Sequence, residues 1–242
     1  MYSSIITKPN YQRSILLFLF VLFASIKVSA QLSDLHYLPP LKQGANNQGI
    51  QNQAIYLSTP ETTAFTVNVY RGTNTSPINT FNIDNLNPVI WTLGNGDNNI
   101  TLVDNSNTGV VLDNSGLRFE SPSGKEFYVN YRGKSSSQAA SLTAKGRQAL
   151  GTKFKWGGVP NLGSHVSKSN TLGIMATEDN TTVTLSGYDS DCEFRVGSDR
   201  AGITADSYTI TLDANESFVF ETYIGTSPTS AHEDGWIGAS ID

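Results

Sequence analysis

Cysteine is almost absent from this sequence, which has Cys192 alone in 242 residues. A lone cysteine excludes an intramolecular disulfide, so the fold must be stabilised by burial of apolar side chains. Because Cys192 lies between Asp191 and Glu193, like-charge repulsion should raise the pKa of its thiol. We therefore expect a small apolar strand residue there, not a reactive nucleophile.

Catalytic sequence motifs are lacking as well. Residues 31–242 contain no Gly-x-Ser-x-Gly, no His-Glu-x-x-His and no phosphate-binding loop. The histidines His36, His165 and His232 lie in polar, turn-rich segments, with no Ser, Cys or carboxylate pair at catalytic or zinc-binding spacing. We expect surface histidines and no enzyme activity. A secreted hydrolase that pairs carboxylates from distant strands is the alternative left open.

Long apolar runs are confined to the amino terminus. Lys8 and Arg13 precede an apolar run of about ten residues, and the sequence Val-Ser-Ala at 28–30 precedes Gln31. The run is shorter than the roughly 20 residues of a membrane-spanning helix, so residues 1–30 are predicted to be a cleaved signal peptide and not an anchor. The mature chain, residues 31–242, should have no membrane span and be secreted or held at the cell surface.

Basic residues are scarce in the mature chain. Removing residues 1–30 takes away three of the 16 basic residues and none of the 21 acidic ones, which leaves a net charge of −8. A surface of this sign repels phosphate backbones and anionic lipids, so nucleic acid is not expected as a partner.

An internal repeat is the strongest positive signal. The sequence LSTPETTAFTV at residues 57–67 matches MATEDNTTVTL at 175–185, an offset of 118. At an offset of 119, residues 89–93 align with 208–212, and GLRFES at 116–121 aligns with GWIGAS at 235–240. The strand-like GKEFYVNYR at 124–132 has no counterpart in the second copy. The repeat therefore predicts two β-units, the second truncated by one strand, and a chain that is the front of a longer protein.

Short alternating apolar runs, each bounded by turn residues, occur throughout both copies. Examples are residues 54–57, 65–70, 89–93, 100–103 and 127–131. This spacing predicts an all-β, antiparallel β-sandwich. We expect an irregular lead-in at 31–52, a first β-unit at 53–134, a connector at 135–149 and a second β-unit at 150–242. The connector is the only helix-compatible stretch, because it is rich in Ala. Whether the units form one domain or two is left open by the spacing.

Three ordered segments carry a family resemblance: LGTKF at 150–154, ATEDNTTVTL at 176–185 and GWIGASI at 235–241. Together they resemble the amino-terminal domain family of the IgG Fc-binding protein, which in bacteria is similar to the front of gliding-motility-associated surface proteins. The resemblance implies an extracellular, β-rich adhesion module and assigns no catalytic or binding residue. In that family the last segment leads into a further short strand, in agreement with the repeat.

Two site hypotheses come from the residues themselves. Asp189 and Asp191, and Asp97 in an Asn-rich loop, could offer oxygen ligands to calcium, although hairpin turns select the same residues for backbone reasons. No other cofactor is indicated. Among the tryptophans, Trp91 and Trp236 have apolar neighbours that favour core positions, so Trp156, beside Gly157 and Gly158, is the candidate ligand-binding residue.

The sequence thus predicts an exported, non-enzymatic β module of the adhesion type that binds an extracellular protein or glycan. A carbohydrate-binding module for polysaccharide or mucin glycans and a structural spacer are the alternatives. If the second unit lacks a strand, its exposed sheet edge should make the chain from Gln31 prone to association. The ligand and the oligomeric state do not follow from the sequence.

Overall fold

Alternating apolar residues become strands with one buried face throughout the chain. In the sequence Phe-Thr-Val-Asn-Val, for example, Phe65, Val67 and Val69 are buried while Thr66 and Asn68 are not. The computed structural model describes residues 31–42, 49–135, 138–160, 169–223 and 230–242, whose regular secondary structure is almost entirely β-strand. The predicted signal peptide, residues 1–30, lies outside the described residues.

The amino-terminal half of this region forms ten strands. They are β1 (Leu35–Leu38), β2 (Leu41–Lys42), β3 (Gln51–Ser58), β4 (Phe65–Arg71), β5 (Asn79–Ile83), β6 (Val89–Gly94), β7 (Leu102–Val103), β8 (Leu117–Glu120), β9 (Tyr128–Ser135) and β10 (Gln138–Thr143). A 3-10 helix, Gly146–Ala149, follows.

The carboxy-terminal half adds eight strands and one short helix. They are β11 (Phe154–Lys155), β12 (Ser169–Met175), β13 (Thr181–Ser186), β14 (Phe194–Val196), β15 (Asp199–Ile203), β16 (Ser207–Leu212), β17 (Ser217–Tyr223), α1 (Ser230–Glu233) and β18 (Ser240–Ile241).

These strands build two sandwiches of antiparallel sheets, which confirms the predicted all-β fold. In the first sandwich the sheets β1-β8-β4-β5 and β10-β9-β3-β6 share one apolar core. In the second sandwich the sheets β11-β18-β13-β16 and β12-β17-β14-β15 share another, with Trp236 fully buried. A short parallel ladder joins β2 to β7.

The strand orders confirm the repeat and correct its alignment. The order β1-β8-β4-β5 has the same form as β11-β18-β13-β16, and β3-β6 corresponds to β12-β17. The sequence alignment of residues 89–93 with 208–212 was wrong, because β6 pairs with β3 whereas β16 pairs with β13. The second copy has an additional hairpin, β14–β15, between β13 and β16. It offsets the later strands, so the sequence alignment matched β6 with β16, which has a similar alternating pattern.

Two segments differ from the sequence prediction. The lead-in is not irregular, since β1 pairs with β8 and β3 begins at Gln51. The alternation before Pro39 is too short to be recognised as a strand. Part of the predicted connector belongs to the first sandwich, because β10 pairs with β9 from Gln138 to Thr143. Tertiary pairing there overrides the helix propensity of its alanines.

The sheet containing β12 and β17 contacts the first half of the chain beside β17, where residues 109–112 pair with it through backbone hydrogen bonds. Leu112 and Ser217 exchange two backbone hydrogen bonds of 2.9 Å, and the Gly109 amide donates to the Val219 carbonyl at 2.9 Å. Gly109 has φ +72°, and a Cβ there would lie 1.9 Å from the Arg195 carbonyl oxygen. Only glycine fits this approach.

Buried charges lie at the same contact. The Glu221 carboxylate on β17 binds Lys42 Nζ at 3.1 Å and Arg195 Nε, and the three side chains are at most 3% exposed. Each sandwich supplies part of this cluster, so residues 31–242 pack as one compact unit. Charges this deeply buried must be paired, which fixes how the two sandwiches meet.

Candidate functional site

An open apolar groove lies at one side of the second sandwich, between the edge strands β11 and β12. Its volume is about 400 Å³, and residues from both facing sheets line it. The apolar lining includes Leu150, Phe154, Trp156, Leu172, Ile174 and Ile241. Leu150 and Phe154 are among the large apolar side chains that remain exposed, Phe154 at 45%. Apolar surface gathered in a concave site is typical of binding sites.

The groove occupies the position that β9 fills in the first sandwich. There β3 pairs with β6 on one side and with β9 on the other. The β9 segment buries Phe127, Val129 and Tyr131 in the first core. In the second sandwich β12 pairs with β17 on one side, and among the described residues no strand pairs with its other edge. Among the described residues, the groove therefore takes the place in the second sandwich that β9 has in the first.

The backbone of β12 presents hydrogen-bonding groups to this open edge. Ser217 and Val219 on β17 direct their backbone groups towards Leu112 and Gly109. Backbone groups of successive strand residues point to opposite neighbours, so Phe218 and Phe220 bond to β12, where their partners are Ile174 and Leu172. Thr171, Gly173 and Met175 consequently point their N–H and C=O groups away from β17, along the groove.

The other face of β12 is already packed against the first sandwich. A Cβ on Gly173 would lie 2.0 Å from the Pro40 carbonyl oxygen, and Met175 lies beside Gly116 and Pro40. Leu172 and Ile174, on the opposite face, pack partly buried against the second core. A strand added at this edge would therefore insert side chains only on the Leu172 and Ile174 side.

Trp156 lines the groove, as the sequence hypothesis for a ligand-binding residue requires. It is half-buried, and its ring lies 4.9 Å from that of Trp236. Its backbone is held at both groups, since the Trp156 amide donates to the Ala239 carbonyl and its carbonyl accepts from the Gly238 amide. The indole Nε1 is buried without a hydrogen-bond partner among the described residues. Trp91 packs partly buried against the first core, and Trp236 is fully buried.

Two lysines stand at the groove, on a chain that is acidic overall. Lys145 and Lys155 both line it, and Lys155 Nζ donates to Ser240 Oγ at 2.6 Å. Neither has a carboxylate partner among the described residues. The local positive charge favours a ligand with acidic groups near its ends.

The calcium candidates have structural roles in turns. Asp189 Oδ1 accepts the Asp191 amide at 3.0 Å, and in the other loop Asn98 Oδ1 accepts the Thr101 amide at 2.9 Å. Asp97 and the two other aspartates are exposed. Within the described part of the chain, no three His, Cys, Asp or Glu side chains cluster as metal ligands would.

The prediction that the histidines lie at the surface was wrong for His36, which is fully buried. Its Nε2 donates to the carbonyls of Phe127 at 2.8 Å and Ser33 at 3.2 Å, in the tautomer that protonates Nε2. Burial lowers the pKa of His36, because the imidazolium would lose its hydration. These two hydrogen bonds tie His36 to the segment that leads into β9. His165 and the His232 side chain lie outside the described residues.

Cys192 is buried, as expected of a small apolar residue, although it precedes β14 and is not in a strand. Its thiol donates to the Ala231 carbonyl at 3.3 Å. The pKa is raised to about 11, first by burial and then by the charge of Asp189, so the flanking carboxylates are not the main cause.

Comparison with known proteins gives one family match. The model of the family described as IgGFc binding protein matches residues 139–242, which span β10 to β18. No curated protein and no solved structure matches the chain. No helix among the described residues is long and apolar enough to cross a membrane. The match covers the whole second sandwich and all the groove-lining residues except Tyr37 and Pro39. Residues 139–242 are therefore similar to the IgGFc-binding protein family.

Proposed function

We propose that the chain is an exported, non-enzymatic binding module that acts at the cell surface or in the extracellular space. The open groove between β11 and β12 is its binding site for an extracellular protein. The observation that carries this proposal is an apolar groove already formed in the free chain, with Phe154 exposed and Trp156 half-buried. Sites of this kind bind with little ordering cost.

The family supports a protein partner. The family is named for binding the Fc region of IgG, so an Fc fragment is a rational first probe. The resemblance to gliding-motility-associated proteins stays a prediction about cellular context. A net charge of −8 after removal of residues 1–30 fits an extracellular module and disfavours nucleic acid.

The carbohydrate-binding alternative rests on Trp156 as a stacking platform. One side of this ring already contacts Trp236, and the neighbouring lining side chains Leu172 and Ile174 are aliphatic. A sugar would find few polar partners on them, so protein is the better-supported ligand. The glycan and spacer alternatives become outcomes of the experiment.

The test uses the chain from Gln31 immobilised against Fc, extracellular glycoproteins with and without their glycans, and soluble polysaccharides. Phe154→Asp places a charge in the groove, and Leu86→Asp is the matched control because Leu86 is 82% exposed elsewhere. We expect saturable protein binding that Phe154→Asp weakens at least about tenfold and Leu86→Asp leaves unchanged.

Other results would contradict the proposal in different ways. Binding that disappears when the glycans are removed would establish the carbohydrate alternative. Binding that tolerates Phe154→Asp would place the site elsewhere, and no binding at all would support a spacer.

A further inference from the structure

We propose that a second site, on the first sandwich, binds an acidic polysaccharide through the carboxylates of its sugar rings. The site is an open cleft on the outer face of β9 and β10, the β9 cleft. Its volume is about 450 Å³, and its lining includes Asn52, Arg132, Lys134, Ala139 and Ser141. It shares no lining residue with the groove between β11 and β12, so it is separate from the site proposed for a protein partner.

Two cations without a carboxylate partner stand in the β9 cleft. Arg132 and Lys134 flank the buried Gly133, so both side chains project from the exposed face of β9. All 21 acidic residues of the sequence lie within the described ranges, and none forms an ion pair with either cation. Arg118 and Arg147, in contrast, each bind a carboxylate. Charges more than about 8 Å apart are largely screened at physiological ionic strength, so the cleft attracts anions although the chain is acidic.

The guanidinium of Arg132 is already oriented for a ligand. Its Nε donates to Asn130 Oδ1 at 2.7 Å, and its plane lies 4.4 Å from the centroid of the Tyr56 ring. Asn130 is held in turn, because its Nδ2 donates to Ser141 Oγ at 3.0 Å and to Thr143 Oγ1 at 2.9 Å. The two terminal nitrogens of Arg132 have no hydrogen-bond partner within the described part of the chain. A fixed pair of N–H donors of this kind suits a carboxylate, which it binds through both oxygens with little ordering cost.

Asn52 adds a neutral hydrogen-bonding group to the cleft. The register of β3 with β9 shifts between Gln51 and Ala54, and Asn52 has φ +49° in this bulge. Bulges turn side chains to directions that a regular strand does not allow. The Asn52 backbone amide donates to Asn95 Oδ1 at 2.8 Å, whereas its exposed side-chain amide has no partner in the described ranges. Because an amide both donates and accepts, it can bond to sugar hydroxyls.

The cleft suits a sugar better than a polypeptide. β9 pairs with β3 on one side and with β10 on the other, so it has no free backbone row for an added strand. The described residues that line the cleft include no large apolar side chain, which protein interfaces place at their centre. On the same outer face, Tyr56 lies opposite Ile90, which is 61% exposed, and together they offer apolar contact to the C–H face of a sugar ring. We therefore assign the cleft to a polymer with a carboxylate and hydroxyls on each ring.

The probes are polygalacturonate and alginate, whose sugar rings each carry a carboxylate. Their esterified forms are the matched neutral ligands, since they keep the rings and lose the charge. Oligomers of each are titrated into the chain from Gln31 by calorimetry. We expect saturable binding of at least one acid form, and binding of its ester at least about tenfold weaker. Equal binding of acid and ester, or no binding of either acid form, would overturn the proposal.

Variants of the two cations test the location of the site. Because both side chains are exposed, Arg132→Gln and Lys134→Gln should leave the melting temperature unchanged and weaken binding of the acid form, by about tenfold and threefold respectively. Arg132→Lys keeps the charge and loses the planar fork, so it should recover only part of the loss. Lys153→Gln is the matched control, because its side chain is 85% exposed and lines neither site. An equal loss in Lys153→Gln, or no loss in Arg132→Gln, would overturn the site.

Polyglutamate tests an acidic polypeptide as the occupant, whatever its source. At equal carboxylate concentration it should compete at least about tenfold less well than the acidic oligosaccharide, because it has no sugar ring. Equal competition would show that the occupant is a polypeptide and would overturn the assignment to a polysaccharide. Phe154→Asp should leave polysaccharide binding unchanged, and Arg132→Gln should leave protein binding at the groove unchanged. The two proposals can therefore fail independently.

Discussion

Glu221→Gln should be among the most destabilising conservative changes in this chain. Glutamine keeps the size of the side chain and removes the charge that binds Lys42 at 3.1 Å and Arg195 Nε. The carboxylate is fully buried, and both cations are nearly so, so water cannot replace it without opening the contact between the sandwiches. Removing one member of a buried ion cluster costs about 3–5 kcal/mol, because the remaining charges stay desolvated.

Urea unfolding followed by tryptophan fluorescence measures this loss. With a denaturant slope of about 2.5 kcal/mol/M, the midpoint should fall by about 1–2 M. The control is Glu61→Gln, since Glu61 pairs with Lys125 at 3.7 Å on the surface and should contribute less than about 1 kcal/mol. Replacing all three buried members by Met or Leu should recover much of the loss. A Glu221→Gln midpoint equal to that of Glu61→Gln would refute the role of this cluster.

Four further predictions follow from buried residues. Burial lowers the pKa of His36 in the folded chain below its unfolded value of 6.5, so the unfolded state binds the proton more tightly. The contribution of His36 to the free energy of unfolding should therefore be complete above pH 6.5 and fall as the pH drops below it. His36→Gln should reduce this pH dependence in urea titrations at several pH values. Gly109→Ala should cost at least about 2 kcal/mol, since φ is +72° and a Cβ meets the Arg195 carbonyl, and a melting curve equal to wild type would contradict this contact. Trp236→Ala should lower the free energy of unfolding by about 3–5 kcal/mol, because its ring is fully buried. Trp156→Ala should lower it clearly less, because that ring lines the groove. Equal losses measured by urea unfolding would place Trp156 in the core. The pKa of the Cys192 thiol is about 11, against a usual 9.0. The thiol should therefore react with a disulfide reagent at least about a hundredfold more slowly in the folded chain than in urea. Fast labelling of the folded chain would show that the thiol is accessible.

The sequence predicted the strands well where the alternation was long. Residues 65–70 and 127–131 read as half-buried strands and are found in β4 and β9. Short or mixed segments failed, as at β1 and β10, because their pairing depends on distant partners. The order of strands was likewise out of reach, since β6 and β16 have the same pattern and different neighbours.

The groove and the charge cluster were missed for a related reason. Glu221 reads as an ordinary polar strand residue until β17 is found to be covered on both faces. Its neighbours Phe218, Val219 and Phe220 form a continuous apolar run, which is the signal of a strand buried on both sides. The repeat showed that residues 124–132 have no counterpart in the second copy, but the groove lined by Trp156 could be found only from the sheet order.

Residue-resolved amide hydrogen exchange tests the central claim most directly. In the free chain, the amides of Leu172 and Ile174 should be protected by β17, whereas those of Thr171, Gly173 and Met175 should exchange rapidly. Addition of a protein that binds in the groove should slow the exchange of these three amides. Protection of all five in the free chain, or no change on binding, would contradict a binding site at this groove.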